Sequence, residues 1–205
     1  MAERELCEYM QFHKTTESLW QETDKQLQSN LIDILKKIPE EHHQDTIDAY
    51  SWELHQNQYK FPDIHRESLV IAIYNFVEAE LNRLCSIISE SIESKIKLKN
   101  LHGQGVNRAL LYLSKVAELD MSKMGGERSY IKEVNRLRNA IVHRGGFLLE
   151  DKNDELNRFV SENPNLSGQP GNKVSLAPAL IEELINNLIE FFKKLGSEVH
   201  KFINS

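Results

Sequence analysis

The chain is short of cysteine, of proline and of long apolar runs, and each shortage removes a class of protein. It has two cysteines, Cys7 and Cys85, among 205 residues. They form neither a CxxC pair nor a zinc spacing with a histidine, so no disulfide framework and no structural metal are expected. Cys85 falls inside an apolar helical pattern and reads as a small core residue. No stretch reaches the ~20 uninterrupted apolar residues that a spanning helix needs. Residues 1–10 are charged and polar and lack the apolar segment of a secretory leader. A soluble, cytoplasmic protein with no membrane contact is expected. No convincing run alternates apolar and polar residues, so strands are not expected to organise the fold.

Excess positive charge is also missing: the formal net charge is −6. The imbalance is local. Residues 1–60 hold 12 acidic and 6 basic residues, and the remaining 145 hold 19 of each. Lys95 to Lys115 contains five basic residues and no acid, and Arg128 to Arg144 contains five with only Glu133 opposing them. Charge alone fits two readings, a phosphate-contacting surface or a solvated helix face.

What is present is helical periodicity. Leu19, Trp20, Leu27, Leu31, Ile34, Leu35 and Ile38 recur at helix spacing until Pro39. A polar helix follows over about 45–58. Phe61-Pro62-Asp63 reads as a turn and helix entry with Asp63 as N-cap. The longest apolar helix runs from His65 to about Lys95. Shorter helices are expected over about 106–118 and 127–143, the latter ended by Gly145-Gly146. Residues 150–175 are irregular, with a short extended piece near Val174. A last amphipathic helix covers about 177–202. The fold class is all-α, a bundle of about five to seven helices. The expected division is an N-terminal helical extension over 1–58 and a helical domain over 61–203.

The informative stretch is Leu137-Arg138-Asn139-Ala140-Ile141-Val142-His143-Arg144-Gly145-Gly146. At ~100° per residue, Ile131, Val134, Leu137 and Ile141 share one stripe. Asn139 and His143 lie together on the side away from it. Arg138 sits on the flank of the stripe, about 140° from His143 by the same count. One side of this helix belongs in a core. The other carries a guanidinium, an amide and an imidazole, which suits a second covering surface: a partner chain or a bound polyanion.

An arginine, a polar residue, three more positions, a histidine and then a glycine pair resemble the Arg-x4-6-His signature of the HEPN family (higher eukaryotes and prokaryotes nucleotide-binding). Tyr74-Asn75-Phe76-Val77-Glu78-Ala79-Glu80-Leu81-Asn82 is similar to the family's long second helix with its embedded glutamate. Gly103-Gln104-Gly105-Val106-Asn107-Arg108, followed by Tyr112-Leu113, is similar to the segment before the signature helix. The resemblance covers roughly 61–203, and residues 1–58 carry no matching motif.

The resemblance implies a HEPN-like helical domain acting as a metal-independent endoribonuclease in a toxin, stress or antiviral-defence setting. It implies a homodimer with a composite cleft, RNA as substrate and no cofactor. His143 would be the acid/base group or would orient the ribose 2′-hydroxyl, Arg138 would hold the scissile phosphate, and Asn139 would position either. Arg144, Arg136, Lys132, Arg108 and Glu78 are the expected binding residues. RNA carries its own nucleophile, so a proton carrier and a cation at the phosphate suffice. Products would be a 2′,3′-cyclic phosphate and a 5′-hydroxyl. Family members paired with a nucleotidyltransferase antitoxin often carry tyrosine two residues after the histidine. Gly145 stands there, which counts against that pairing and leaves other antitoxin or complex partners open. Non-catalytic dimerisation or nucleotide-binding modules of the family, and a subunit whose acidic N-terminal segment is an interaction arm, are the alternatives. A purely architectural reading pairs Arg138 and His143 with Glu78 or Glu80.

Other residues carry less. His42-His43 reads as a loop or helix start, and His13, His55, His65, His102 and His200 show no ligand spacing among themselves. Ser129 and Ser167 lack a nucleophile-elbow context. Gly103-Gln104-Gly105 lacks the strand and Lys-Ser/Thr of a phosphate loop. Tyr112, Tyr130 and Phe147 are read as packing residues that also lie near the basic stretches.

Overall fold

Apolar residues repeating every three to four positions drive this chain into helices. The computed structural model describes residues 2–204 and contains seven α-helices among them. They are α1 (Ala2–Leu35), α2 (His43–His55), α3 (Phe61–Ser91), α4 (Gly105–Lys115), α5 (Gly125–Arg144), α6 (Glu155–Glu162) and α7 (Pro178–Ile203). Two short strands, β1 (Leu166–Ser167) and β2 (Ser175–Leu176), pair antiparallel with Leu166 opposite Leu176. The fold is an all-α bundle. Among the described residues no helix is long and apolar enough to cross a membrane.

Helix α3 is the centre, packed against α1, α4, α5 and α7. Its buried residues include Leu69, Ile73, Val77, Leu81 and Cys85, which join Leu113 of α4, Leu137 of α5 and Phe191 of α7 in one cluster. Each fully buried large apolar side chain contributes ~1.5–3 kcal/mol, so this cluster sets the fold. Cys85 has no solvent exposure, and burial pushes its thiol pKa up to about 12, as befits a core residue.

One expectation needs correcting. The chain does not turn at Phe61-Pro62-Asp63. A π-helical turn over Gln56–Lys60, closed by the Phe61 N–H on the Gln56 carbonyl, links α2 to α3 without leaving helix. Its wide turn accommodates the ring of Pro62, which a regular helix interior rejects, so Asp63 lies inside helix rather than at its cap. Helix α1 extends well before the stripe read from Leu19 onward. That helix starts at Ala2, and its buried residues are Leu6, His13 and Glu17. Its N-terminal part lies along α7 and shares the main core. Of the stripe, Leu19 is exposed and Trp20, Leu27, Leu31, Ile34, Leu35 and Ile38 are half-buried, and α2 contributes no buried residue.

Candidate functional site

Helix α5 places its inner face, Ile131, Val134, Leu137, Ala140 and Ile141, in the core. Steps of three and four residues then align Arg128, Lys132, Asn135, Asn139 and His143 on the opposite face. The helix ends because Gly145 and Gly146 take φ of 60° and 84°. Both donate their N–H groups to the Ala140 carbonyl. A Cβ on Gly146 would approach Lys173 Cε to 3.2 Å. Beyond the glycines the exit is pinned: Leu148 N donates to Asn172 O at 3.0 Å, and Val174 N to Gly146 O at 2.9 Å. The extended piece expected near Val174 thereby fixes the end of α5.

Arg138 is half-buried. Its Nη1 donates to Asn139 Oδ1 at 3.1 Å and its Nη2 to Asn75 Oδ1 at 3.4 Å. Its guanidinium carbon lies 5.9 Å from the centre of the Tyr74 ring. Both acceptors are neutral amides, and among the described residues no carboxylate forms an ion pair with the guanidinium. Burial, reinforced by the Glu78 carboxylate and opposed by Arg138, pushes the Tyr74 hydroxyl pKa up to about 12. Tyr74 is therefore a neutral wall. Glu78 sits against the start of α4, where a Cβ on Gly105 (φ +58°) would come within 3.2 Å of its Oε2. Only glycine fits there, and the carboxylate meets the positive end of the helix dipole. Glu80 is bound by Arg83 at 2.7 Å. Among the described residues neither Glu78 nor Glu80 pairs with Arg138 or His143, so the architectural reading finds no support in the geometry.

His143 is exposed and makes no hydrogen bond or ion pair among the described residues. Val142, 43% exposed, and Phe147, 52% exposed, flank it. Of the remaining expected binding residues, Lys132 is exposed, and Arg144 and Arg108 are half-buried. None of the three has an ion-pair partner among the described residues. Arg108 Nε is buried without an acceptor. Arg136 is different: it is held by Glu133 and by Glu155, which ties α5 to α6 and neutralises the guanidinium. The single chain thus joins Arg138, Asn139, Asn75 and Tyr74, and leaves His143 open at the edge.

A second constellation joins residues distant in sequence. His13, Glu17 and His65 bring their ligand atoms within 4.8 Å of one another, although the spacing of the histidines gives no sign of it. His13 Nε2 lies 3.0 Å from the Pro178 carbonyl, which can only accept, so that nitrogen carries the proton. His13 Nδ1 then accepts from His65 Nε2 at 3.3 Å. Ring centres 5.5 Å apart and planes 7° apart place the rings end to end, nitrogen facing nitrogen. That suits an N–H···N bond and not two lone pairs converging on one cation. Both Glu17 oxygens are taken by Arg66, at 2.7 and 2.8 Å. Burial is the main cause that lowers both histidine pKa values, so the pair is held neutral. The cluster fastens α1, α3 and the start of α7. The sequence signal was only His13 and Glu17 one helical turn apart. Comparison with protein-family models, curated proteins and solved structures gives no significant match.

Proposed function

We propose that the protein is a metal-independent endoribonuclease of HEPN type, working as a homodimer in which the outer faces of two α5 helices form one cleft. The observation that carries this reading is an arginine without a carboxylate partner among the described residues, on the same helix as an exposed, unpartnered imidazole. The exposed Val142 and Phe147 next to His143 provide apolar surface for the second chain, as an interface core needs.

In this reading His143 takes the proton of the ribose 2′-hydroxyl. The 2′-oxygen attacks phosphorus, the P–O5′ bond breaks, and the leaving 5′-oxygen collects a proton from the imidazolium of the two-fold related site or from water. Arg138, held by Asn75 and Asn139 and backed by Tyr74, meets the charge that develops on the non-bridging oxygens. Preorganised donors of this kind contribute ~3–4 kcal/mol. Cleavage of labelled RNA in excess EDTA, with Arg138→Ala and His143→Ala run beside the wild type and oligomeric state measured for all three, tests it. Dimeric, inactive variants beside an active wild type support the reading, and intact RNA in every lane refutes it.

A second reading draws on the N-terminal helices. Leu19 and Ile32 on α1 and Trp52 on α2, the last 68% exposed, are large apolar side chains left open to solvent. This favours a partner-binding arm. A stable partner that co-purifies with the full chain and is lost on Trp52→Ser would support it.

A further inference from the structure

A surface cleft lies between α4 and the first half of α5. It has a volume of roughly 460 Å³ and is lined by Asn107, Leu111, Ser114 and Lys115 on one side and by Arg128 and Lys132, among others, on the other. No acidic residue lines it. Lys115, Arg128 and Lys132 have no ion-pair partner among the described residues. Elsewhere Lys14, Arg66, Arg83, Arg136, Lys173 and Lys194 are each matched to a carboxylate. Three cations without a carboxylate partner thus share one groove that no acid lines, where their fields add.

The groove is also aligned. Arg128 and Lys132 begin the same face of α5 that carries Asn135, Asn139 and His143. From Arg128 to His143 this face advances ~22 Å at ~1.5 Å per residue. Its side chains are cationic, amide or imidazole throughout. Leu111 is partly exposed at the groove and gives an apolar contact beside the charges. Positive charge that tracks one direction, with neutral hydrogen-bonding groups and an apolar step, suits a flexible strand of phosphates and bases.

With the ribonuclease reading of α5 as premise, the geometry points to the α4–α5 groove as the track for single-stranded RNA, with Lys115, Arg128 and Lys132 on consecutive backbone phosphates upstream or downstream of the cut. Asn107 and Ser114 line the same wall and offer hydrogen bonds to sugar or base edges. The track selects for a polyanion, not for a sequence.

The probe is a fluorescein-labelled oligouridine, with anisotropy recorded against the full-length protein over a salt series. The variants are the triple K115A/R128A/K132A and a control triple K14A/K36A/K193A, which removes the same formal charge from α1, the turn after it and α7. Three lost phosphate contacts on a single strand flatten the salt slope by about 2, at ~0.7 per contact. At 0.1 M salt this corresponds to roughly hundredfold weaker binding. The control triple keeps wild-type affinity to within a few fold. Circular dichroism and oligomeric state are compared with wild type to confirm that the groove variant is folded. Loss confined to the groove triple supports the track. Equal loss in both triples assigns the binding to net charge and overturns it. An unchanged slope in a folded groove triple overturns it as well. Cleavage is scored separately: a wild type that binds through the groove but leaves RNA intact keeps the track and removes the ribonuclease reading. A wild type that cuts, with a groove triple that binds normally, does the reverse.

Discussion

The ion pair between Glu17 and Arg66 offers the sharpest test of how the N-terminal helix is held. Glu17 is bound through both oxygens, and Arg66 also donates to the Leu176 carbonyl at 3.0 Å. The two side chains are 11% and 14% exposed. Removing one partner leaves the other charge buried with part of its hydrogen bonding lost, which costs ~3–5 kcal/mol. Because a little solvent reaches the pair, the lower end applies, about 3 kcal/mol for Glu17→Ala. For a chain of this length ~1 kcal/mol moves Tm by ~2–4 °C, so a fall of about 6–12 °C follows. The double variant Glu17→Leu/Arg66→Met replaces the pair with apolar groups and recovers most of the loss, since a buried pair and its apolar substitute are often close in stability. The assay is thermal unfolding of the wild type, both single variants and the double. Glu17→Ala within 2 °C of wild type, or single losses that simply add in the double, would show that the pair is solvated and that α1 is not fastened in this way.

Other expectations follow from the same geometry. The fold holds His13 and His65 neutral, below the ordinary value of 6.5. The unfolded chain therefore binds more protons as pH falls below that value, and stability declines until the folded-state pKa values are passed. Glu17, Glu182 and Arg66 face the pair, with the acids resisting the shift and Arg66 adding to it. Urea unfolding of His13→Gln from pH 7.5 to 5 is expected to show a shallower acid decline than wild type, and an identical decline would refute this. Gly146→Val places a side chain against Lys173 at positive φ, which costs ~1–3 kcal/mol, read as a fall in urea midpoint with little change in slope. Asn75→Ala releases one edge of Arg138 and is expected to slow RNA cleavage about tenfold, ~1.4 kcal/mol, with circular dichroism unchanged.

Much of this fold is legible in the sequence, because helices write their packing into a local period. Helix α5 reads as 127–143 and spans Gly125–Arg144, and the last helix reads as 177–202 and spans Pro178–Ile203. Gly145-Gly146 announces the C-terminus because left-handed backbone there admits little else. Non-local facts are what the sequence hides. Which half of α1 is buried depends on α7, some 165 residues away. The helical link past Pro62 depends on a π turn that no propensity marks. At the site, the outward placement of Asn139 and His143 follows from the helical count. That Asn75 and Tyr74 would cradle Arg138 depends on how α3 crosses α5. The loss of Arg136 to Glu155 likewise needs α6 folded back on α5.

The most direct test of the central proposal is the chemistry at the cut ends. RNA incubated with the protein in EDTA should yield fragments ending in 2′,3′-cyclic phosphate and 5′-hydroxyl, absent with His143→Ala. Fragments with 5′-phosphate ends, or RNA left whole by the wild type, would contradict it.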